Sequence, residues 1–232
     1  MPRLTIIIPA YNEERTIVSS VGKLAGYIKK NKLDCEMLIV NDCSSDGTAA
    51  ALAFAKLPSY ARIITTAKRS GRGASISNAI KTAKGRTVLY LDADLSFELA
   101  IVQKLVQAID NGADIATGSR LLPSSKASRS FLRSSLSSAY NLLVRLVLGS
   151  KIHDHQCGCK AVRKSTVLPL LDKVRANHWF WDTELLVLAQ KKGLTVVELP
   201  LTWWEGEYTT VNVLRDSLTL FQNIFALKLR SG

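Results

Sequence analysis

The sequence has few cysteines and no long apolar run. Only four of its 232 residues are cysteines, which excludes a disulfide-rich secreted scaffold and favours a reducing cytosol. No apolar run reaches the roughly 18 residues of a membrane-spanning helix, and no signal peptide is apparent at the Met1 end. Internal repeats and low-complexity tracts are also lacking. We therefore expect residues 1–232 to form one compact cytoplasmic domain.

Acidic residues are scarce relative to basic ones. The chain has 31 Lys and Arg against 19 Asp and Glu, a formal net charge of +12. Such a charge indicates an anionic partner: a nucleic acid, a phosphorylated substrate or an acidic membrane surface. The basic residues scatter over predicted helices and do not follow one face with stacking aromatics, so a nucleic-acid-binding protein is the least favoured class.

The glycine-rich phosphate-binding motifs are missing. The first predicted turn, Pro9–Glu13, has no glycine, and the sequence after Gly71-Arg-Gly73 lacks the third glycine of a dinucleotide fingerprint. No Walker-type lysine motif occurs. The Pro9–Glu13 turn also differs from the glycine- and arginine-rich first loop expected of a sugar-1-phosphate nucleotidyltransferase. We set these classes aside.

Short apolar runs instead alternate with helical patterns. Apolar runs of strand length end at polar clusters, and apolar residues at helical spacing follow each cluster. This alternation predicts an α/β, Rossmann-like, mostly parallel sheet with helices on both faces. The predicted strands are 4–8, 36–40, 62–65, 88–91, 114–118 and 196–200. The predicted helices are 17–30, 49–57, 76–83, 97–109, 136–148 and 213–229, and a further helix begins at Trp179.

Two carboxylates, Asp92 and Asp94, follow the fourth predicted strand. Their spacing points both side chains the same way, where they repel each other by roughly 3 kcal/mol at about 5 Å and an effective dielectric constant of about 20. Mg²⁺ or Mn²⁺ would remove that repulsion, because both prefer carboxylate and diphosphate oxygens. The alternative is a solvated pair that begins the next helix, with Ser96 as the N-cap.

Acidic clusters also end two other predicted strands. Tyr11-Asn12-Glu13 follows the first strand and Asn41-Asp42 the second. Ligands bind at the carboxyl ends of parallel strands, so these clusters should meet Asp92 and Asp94 at one rim. Acidic clusters without a basic partner favour a cation that bridges to a phosphate.

Four motifs follow one another along the chain: Ile-Ile-Pro9-Ala-Tyr-Asn-Glu13-Glu, Val40-Asn-Asp42-Cys-Ser-Ser-Asp46-Gly-Thr48, Gly71-Arg-Gly73-Ala and Asp92-Ala-Asp94-Leu-Ser96. Together they resemble glycosyltransferase family 2, and more narrowly the polyprenyl-phosphate (dolichyl-phosphate) mannose and glucose synthases. The resemblance implies one GT-A domain, with a nucleotide-sugar-binding half at 1–120 and an acceptor-binding half with C-terminal amphipathic helices at 121–232.

The resemblance also implies roles for individual residues. Asp92 and Asp94 would bind Mg²⁺ or Mn²⁺, with Ser96 where some members have a Gln ligand. Asp94, Asp154 and Arg120 would be catalytic, with Asp154 orienting or deprotonating the acceptor. The nucleotide would contact Pro9, Tyr11, Glu13, Val40, Asp42, Asp92 and Ala93, and the acceptor phosphate would contact Arg120, Arg133 and Ser137.

The acceptor half contains two amphipathic helical patterns. Residues 136–148 and 213–229 are apolar on one side with basic residues interspersed, a pattern typical of helices in a membrane interface or of ordinary core packing. We favour the interface for the first turns of the 136–148 helix, and we expect the 213–229 helix to rest on the membrane or on a partner. Both expectations imply peripheral association with the cytosolic face of a membrane and a possible membrane-anchored partner. Relatives carry Arg and Lys in the 203–210 loop; this chain has neither there, and Arg215 is a possible substitute.

Histidines and cysteines alternate between His153 and Cys159, which suggests zinc. Ligands along one strand would span about 20 Å and could not close a tetrahedron, so we do not favour a zinc site. The stretch resembles an acceptor-side motif instead, with Lys160 or Arg163 adding positive charge. Asp182 and Glu184 would either cap a helix or, as in the family, border the acceptor site.

These patterns predict a metal-dependent, inverting transfer of a hexose from UDP-glucose or GDP-mannose to a polyprenyl or dolichyl phosphate. The 156–160 stretch weakly favours glucose. An acceptor phosphate is already anionic at neutral pH and needs positioning more than deprotonation. A family 2 enzyme that acts on a soluble saccharide or protein acceptor is the alternative.

Overall fold

A computed structural model describes residues 2–128, 130–205 and 213–231, with backbone alone for 213–218 and 231. The nine strands are β1 (Leu4–Ala10), β2 (Cys35–Asn41), β3 (Ala61–Thr65), β4 (Thr87–Leu91), β5 (Ile115–Ser119), β6 (Lys126–Ser128), β7 (Cys159–Arg163), β8 (Val196–Pro200) and β9 (Thr202–Trp204). The eight helices of this part of the chain are α1 (Ile17–Lys30), α2 (Thr48–Phe54), α3 (Arg72–Thr82), α4 (Ile101–Asp110), α5 (Phe131–Leu148), α6 (Lys164–Leu171), α7 (Phe180–Lys191) and α8 (Val213–Ser231).

Seven strands form the central sheet in the order β3-β2-β1-β4-β7-β5-β8, and only β7 is antiparallel to its neighbours. The prediction of a mostly parallel α/β sheet is therefore confirmed. Strands buried on both faces read as continuous apolar runs, and β1 shows why: Ile6 and Ile8 pack into the core on one face, while Ile7 packs into the core on the other.

The antiparallel strand β7 was not predicted. Its sequence, Cys-Lys-Ala-Val-Arg, has charges at Lys160 and Arg163 and does not read as an apolar run. Lys160 is nevertheless fully buried, because it forms an ion pair with Asp182 of α7. A two-stranded parallel sheet, β6-β9, was also missed, because its strands have only three residues each and are too short to show an alternating pattern.

The helix after the acidic pair begins later than predicted. The expected start was Phe97, with Ser96 as the N-cap, but α4 begins at Ile101 after Ala100. Phe97 instead forms an isolated β-bridge with Trp203, and the Ser96 hydroxyl donates to Asp94 at 2.5 Å. Ser96 therefore does not cap this helix, contrary to the alternative interpretation of the acidic pair.

A third core lies between α5, α7 and α8, where Tyr140, Val144, Phe180 and Ile224 pack together. Helix α5 begins at Phe131, five residues before the predicted start, and ends at Gly149 in the left-handed conformation typical of a helix C-terminus. Among the described residues, no helix is long and apolar enough to cross a membrane.

Candidate active site

The site lies at the rim where β1, β2, β4 and β5 end. Strand β7 contributes its beginning to the same rim, because it runs antiparallel to β4 and pairs Cys159 with Leu91. The loop before β7 thus lies beside the acidic pair, and the Asp92 amide donates to the Gly158 carbonyl at 2.8 Å. The topology therefore brings the loop before β7 next to Asp92 and Asp94, although the two segments are far apart in the sequence.

The loops after β1 and β2 bind each other directly. Asn12 has a positive φ of 58°, and its amide donates to Ser44 Oγ at 3.1 Å. The Glu13 amide donates to Thr48 Oγ1 at 2.7 Å. The Tyr11 ring lies beside this junction with the Arg69 guanidinium 3.8 Å from its centroid. These contacts fix Tyr11 and Glu13, two of the predicted nucleotide-binding residues, at the rim.

The other predicted nucleotide-binding residues are more buried. Pro9 and Val40 are register partners within the sheet. Asp42 holds the loop before α3: it accepts hydrogen bonds from the Gly71 amide at 2.7 Å and the Ser70 amide at 2.8 Å. Burial opposes the ionised form, but these hydrogen bonds outweigh it and lower the pKa of Asp42. Asp42 therefore stays ionised and shapes this loop; its contact with a nucleotide stays a prediction.

Asp94 and Glu13 are carboxylates without a cationic partner among the described residues. Burial raises the pKa of Asp94, and the charge of Asp92 raises it further. Burial likewise raises the pKa of Glu13, with smaller contributions from Asp94, Asp92 and Asp46. Ala93 is buried between the two aspartates. The rim therefore concentrates negative charge that a cation would relieve.

The donor set fits a divalent cation shared with a phosphate ligand. In the described part of the chain, no three His, Cys, Asp or Glu side chains form a cluster that could hold a metal ion. Asp92 and Asp94 provide two carboxylates, and Mg²⁺ is commonly bound through one or two carboxylates plus substrate phosphates. Asp94 Oδ2 accepts from Ser96 Oγ, which orients this carboxylate. The residues present thus suit a cation that arrives with a diphosphate.

The His153–Cys159 stretch likewise contains no cluster of metal ligands among the described residues. His155 is fully buried, with Nε2 2.8 Å from Ser150 Oγ and Nδ1 2.7 Å from Asn141 Oδ1. Burial lowers the pKa of His155 to about 3. Both ring nitrogens are thus already occupied, as expected of a structural histidine and not of a zinc ligand.

Three charged side chains and a tyrosine form a buried network behind Asp92. Arg72 donates to Asp92 Oδ1 through Nε (2.8 Å) and Nη2 (2.6 Å), and to Asp182 Oδ2 through Nη1 (2.5 Å). Asp182 Oδ1 also lies 2.8 Å from Lys160 Nζ and accepts from the Tyr90 hydroxyl at 3.1 Å. Sequence reasoning missed Arg72 as a site residue; its position between Gly71 and Gly73, in a quoted motif, was the available signal.

Asp154 and Arg120 form a second buried ion pair. Arg120 Nε lies 2.7 Å from Asp154 Oδ2, and Nη2 lies 2.8 Å from Oδ1. Although burial disfavours the charge, Arg120 lowers the pKa of Asp154 to about 2. The Arg120 guanidinium also lies 5.5 Å from the Trp203 ring centroid. The structure thus joins two of the three predicted catalytic residues.

Helix α5 anchors the loop that carries Asp154. Asn141 Oδ1 accepts from the His155 amide at 2.9 Å. The Tyr140 hydroxyl lies 2.6 Å from Thr183 Oγ1, which also accepts from Gln156 Nε2 at 2.8 Å. The inner face of α5 is therefore hydrogen-bonded, directly and through α7, to the residues after Asp154.

The predicted acceptor residues on α5 lie in its first turns. Arg133 forms an ion pair with Glu205, and the Ser137 carbonyl accepts from Asn141 Nδ2 at 2.8 Å. The Arg215 side chain lies outside the described residues, as does most of the 203–210 loop. The contact of Arg133 and Ser137 with a phosphate stays a prediction.

Two residues assigned to the acceptor side have other positions or partners. Arg163 pairs with Thr87 at the amino end of β4, at the opposite end of the sheet from the rim. Of the two cations expected to add positive charge, Arg163 therefore adds none to the site, whereas Lys160 lies in the network behind Asp92. Glu184 accepts hydrogen bonds from the Arg175 and Ala176 amides and pairs with Arg230 of α8. Its contacts are structural.

Comparison with known proteins identifies the family. The family model described as Glycosyl transferase family 2 matches residues 5–168. The chain belongs to glycosyl transferase family 2. The family resemblance drawn from the four motifs is confirmed, and among the curated relatives is glycosyltransferase AglD of Haloferax volcanii, 37% identical over 95% of this chain. The chain spans 36% of the length of that relative.

Other similarities support the same placement. A dolichyl-phosphate beta-glucosyltransferase of Homo sapiens is 28% identical over 98% of this chain and 75% of its own length. Glucosyl-3-phosphoglycerate synthase of Mycobacterium tuberculosis, solved with Mn²⁺ and UDP-glucose, aligns with a TM-score of 0.72 at 18% identity, over 99% of this chain and 78% of that chain. The family has a GT-A fold, and this fold is the one that the protein adopts. The protein is thus a glycosyltransferase.

Proposed function

We propose that this glycosyltransferase moves glucose from UDP-glucose to a polyprenyl phosphate such as dolichyl phosphate, with inversion at the anomeric carbon. The name of the human relative supports the acceptor and the sugar. The bound UDP-glucose of the structural neighbour supports the donor. GDP-mannose, the other donor that the sequence left open, has no such support and is not part of the proposal.

The observation that carries a lipid acceptor is the double role of α5. Its outer face exposes Phe131 (88%), Leu132 (65%) and Leu146 (73%) to solvent. Its inner face holds the loop after Asp154 through Tyr140 and Asn141. A lipid chain that covers the outer face would therefore bring its phosphate close to the rim.

In this proposal the protein attaches to a membrane surface through the outer faces of α5 and α8. Helix α8 packs beside α5 and exposes Phe225 (54%) and Leu229 (88%). Arg145 on α5 and Lys228 on α8 are exposed as well, and cations beside apolar side chains favour anionic lipid surfaces. Attachment to the cytosolic face, and a membrane-anchored partner, stay predictions.

The reaction is an in-line displacement. An oxygen of the acceptor phosphate forms the new bond to C1 of glucose, while the bond between C1 and the diphosphate oxygen breaks and UDP leaves. The acceptor oxygen is already ionised at neutral pH, so no base must remove a proton. A divalent cation held by Asp92 and Asp94 would stabilise the charge that develops on the departing diphosphate.

Arg120 would help to bring two anionic substrates together. Its guanidinium is held on both carboxylate oxygens of Asp154, so its direction is set before any substrate binds. Asp154 is fully buried and stays ionised at neutral pH, with a pKa of about 2. Of the two roles predicted for Asp154, we therefore propose orientation, through Arg120, and not deprotonation of the acceptor.

The test is transfer into a lipid product. The protein is incubated with Mn²⁺ or Mg²⁺, with phosphatidylcholine vesicles that contain polyprenyl phosphate, and with radiolabelled UDP-glucose or GDP-mannose in parallel. We expect label to enter the organic phase from UDP-glucose alone and to be lost in Asp94→Asn. The control Asp172→Asn alters an exposed ion pair with Lys81 and should leave transfer unchanged.

Two results would overturn parts of the proposal. Lipid-linked label from GDP-mannose alone would show that the sugar is wrong. Metal-dependent consumption of UDP-glucose without lipid-linked product, but with a glucosylated water-soluble acceptor, would favour the soluble-acceptor alternative.

A further inference from the structure

The two carboxylate oxygens of Asp92 have unequal surroundings. Oδ1 accepts hydrogen bonds from Nε and Nη2 of Arg72, at 2.8 Å and 2.6 Å. Oδ2 accepts none from the part of the chain that the structure describes. Because the Asp92 side chain is 33% exposed, Asp92 presents one oxygen that is already occupied and one that can bind a ligand.

Arg72 is held in place from behind. Its Nη1 donates to Asp182 Oδ2 at 2.5 Å, and the second oxygen of Asp182 lies 2.8 Å from Lys160 Nζ. The exposed fractions of the Arg72, Asp182 and Lys160 side chains are 12%, 2% and 0%. The two carboxylates, Asp92 and Asp182, balance the two cations, Arg72 and Lys160. Rotating Arg72 away from Asp92 would therefore leave a charge unpaired inside the protein.

Gly158 confines Asp92 from the other side. A Cβ atom at this position would lie 1.8 Å from Asp92 Oδ2 and 2.4 Å from Asp92 Cγ, and the three nearest atoms all belong to Asp92. The carboxylate therefore lies directly against the Gly158 backbone. Together with Arg72, this contact leaves the Asp92 carboxylate little freedom to rotate.

We propose that Arg72 and Gly158 make Asp92 a one-oxygen ligand and thereby give the site its preference for Mg²⁺ or Mn²⁺ over Ca²⁺. The inference rests on the proposed function in one respect: Asp92 and Asp94 are taken as the cation ligands. Ca²⁺ takes six to eight oxygens and often uses both oxygens of one carboxylate, whereas Mg²⁺ requires a small octahedral shell. A carboxylate with Oδ1 occupied by Arg72 cannot chelate through both oxygens, which disfavours the larger ion.

The test measures metal binding without turnover. Mn²⁺ binding to the purified protein with UDP is followed by electron paramagnetic resonance, and Ca²⁺ is added as a competitor. We expect Arg72→Met, which has no hydrogen-bond donor, to free Oδ1 and to lower the ratio of the Ca²⁺ to the Mn²⁺ dissociation constant about tenfold, the scale of outer-shell effects on metal sites. Gly158→Ala should displace the carboxylate and weaken Mn²⁺ binding about tenfold.

Matched controls separate these effects from general destabilisation. Lys81→Met removes the cation of an exposed ion pair with Asp172, and Gly26→Ala adds a methyl group where no atom lies within 4 Å. Both should bind Mn²⁺ and Ca²⁺ as the wild type does. Thermal unfolding identifies any variant that does not fold.

Some results would overturn the inference. An unchanged ratio of the Ca²⁺ to the Mn²⁺ dissociation constant in folded Arg72→Met, or wild-type Mn²⁺ binding in Gly158→Ala, would show that Asp92 is not constrained in this way. If the wild-type protein with UDP binds no Mn²⁺, the metal part of the proposed function fails as well. The vesicle assay tests the lipid acceptor separately.

Discussion

Asp154 accepts three hydrogen bonds from Arg120, from its backbone amide at 2.9 Å and from the guanidinium at 2.7 Å and 2.8 Å. The backbone bond fixes where the arginine side chain begins, and the two guanidinium bonds fix its far end. Such a bidentate pair gives directional precision that a lysine could not provide. Asp154 thus sets the direction of the Arg120 guanidinium.

Asp154→Asn should lower stability and transfer together. The amide leaves the buried guanidinium without a full counter-charge, and breaking a buried pair typically costs about 3–5 kcal/mol. Urea unfolding measures the loss, and the vesicle assay measures transfer. Asp172→Asn, on an exposed ion pair, should change the free energy of unfolding by less than about 0.5 kcal/mol. Wild-type stability in Asp154→Asn would show that this pair is not essential to the fold.

Asp94→Asn should stabilise the protein while it abolishes transfer. Burial and the charge of Asp92 raise the pKa of Asp94, so its ionised form is disfavoured in the folded state. Because Asp94 is exposed and solvent screens its charge, removing that charge should raise the free energy of unfolding by less than about 1 kcal/mol. Chemical denaturation without metal is the measurement. A less stable Asp94→Asn protein would contradict the expected repulsion.

The protein should lose stability below neutral pH through His155. Burial lowers the pKa of His155 to about 3 in the folded protein, against about 6.5 when unfolded. The unfolded state therefore binds a proton first, and stability falls as the pH drops from about 6.5 toward 3. Between pH 7 and pH 5 this linkage contributes a loss of about 2 kcal/mol.

Denaturation of His155→Gln over the same range checks this linkage. The variant has no imidazole at this position, so the difference between its stability and that of the wild type should shrink as the pH falls to 5. His178→Gln, which keeps His155, should retain the wild-type dependence. Parallel curves for wild type and His155→Gln would mean that His155 does not remain neutral in the fold.

The exposed apolar residues of α5 should be needed for membrane binding and not for folding. Leu132→Ser and Leu146→Ser each remove apolar surface worth about 1.5–3 kcal/mol when buried, so each should weaken vesicle binding about tenfold or more. Sedimentation with anionic vesicles is the measurement. Phe54→Ser is the control. Phe54 is 89% exposed and lies on α2, which connects β2 and β3 at one edge of the central sheet, so this variant should bind vesicles normally. Equal binding by all three variants would refute an α5 interface.

The strand-end motifs were predictable because their signals are local. An apolar run such as β4 is buried wherever it lies, and Asp92 follows it directly. The helix after the motif was misplaced by four residues at its start, because Phe97 pairs with Trp203, more than a hundred residues away. A contact between distant segments leaves no periodic pattern in either one.

The sequence by itself determined the mostly parallel sheet and the acidic groups at its rim, since alternation and strand length depend on neighbouring residues. It did not determine that β7 runs antiparallel and brings Gly158 against Asp92. A lysine in the middle of β7 interrupts the apolar pattern of a buried strand, and only the ion pair with Asp182 explains why Lys160 can be buried there. Nor did the sequence determine that Arg72 occupies one oxygen of Asp92 and that Asp154 holds Arg120. Buried ion pairs between distant segments depend on the folded core, which brings the segments together and excludes water around the charges.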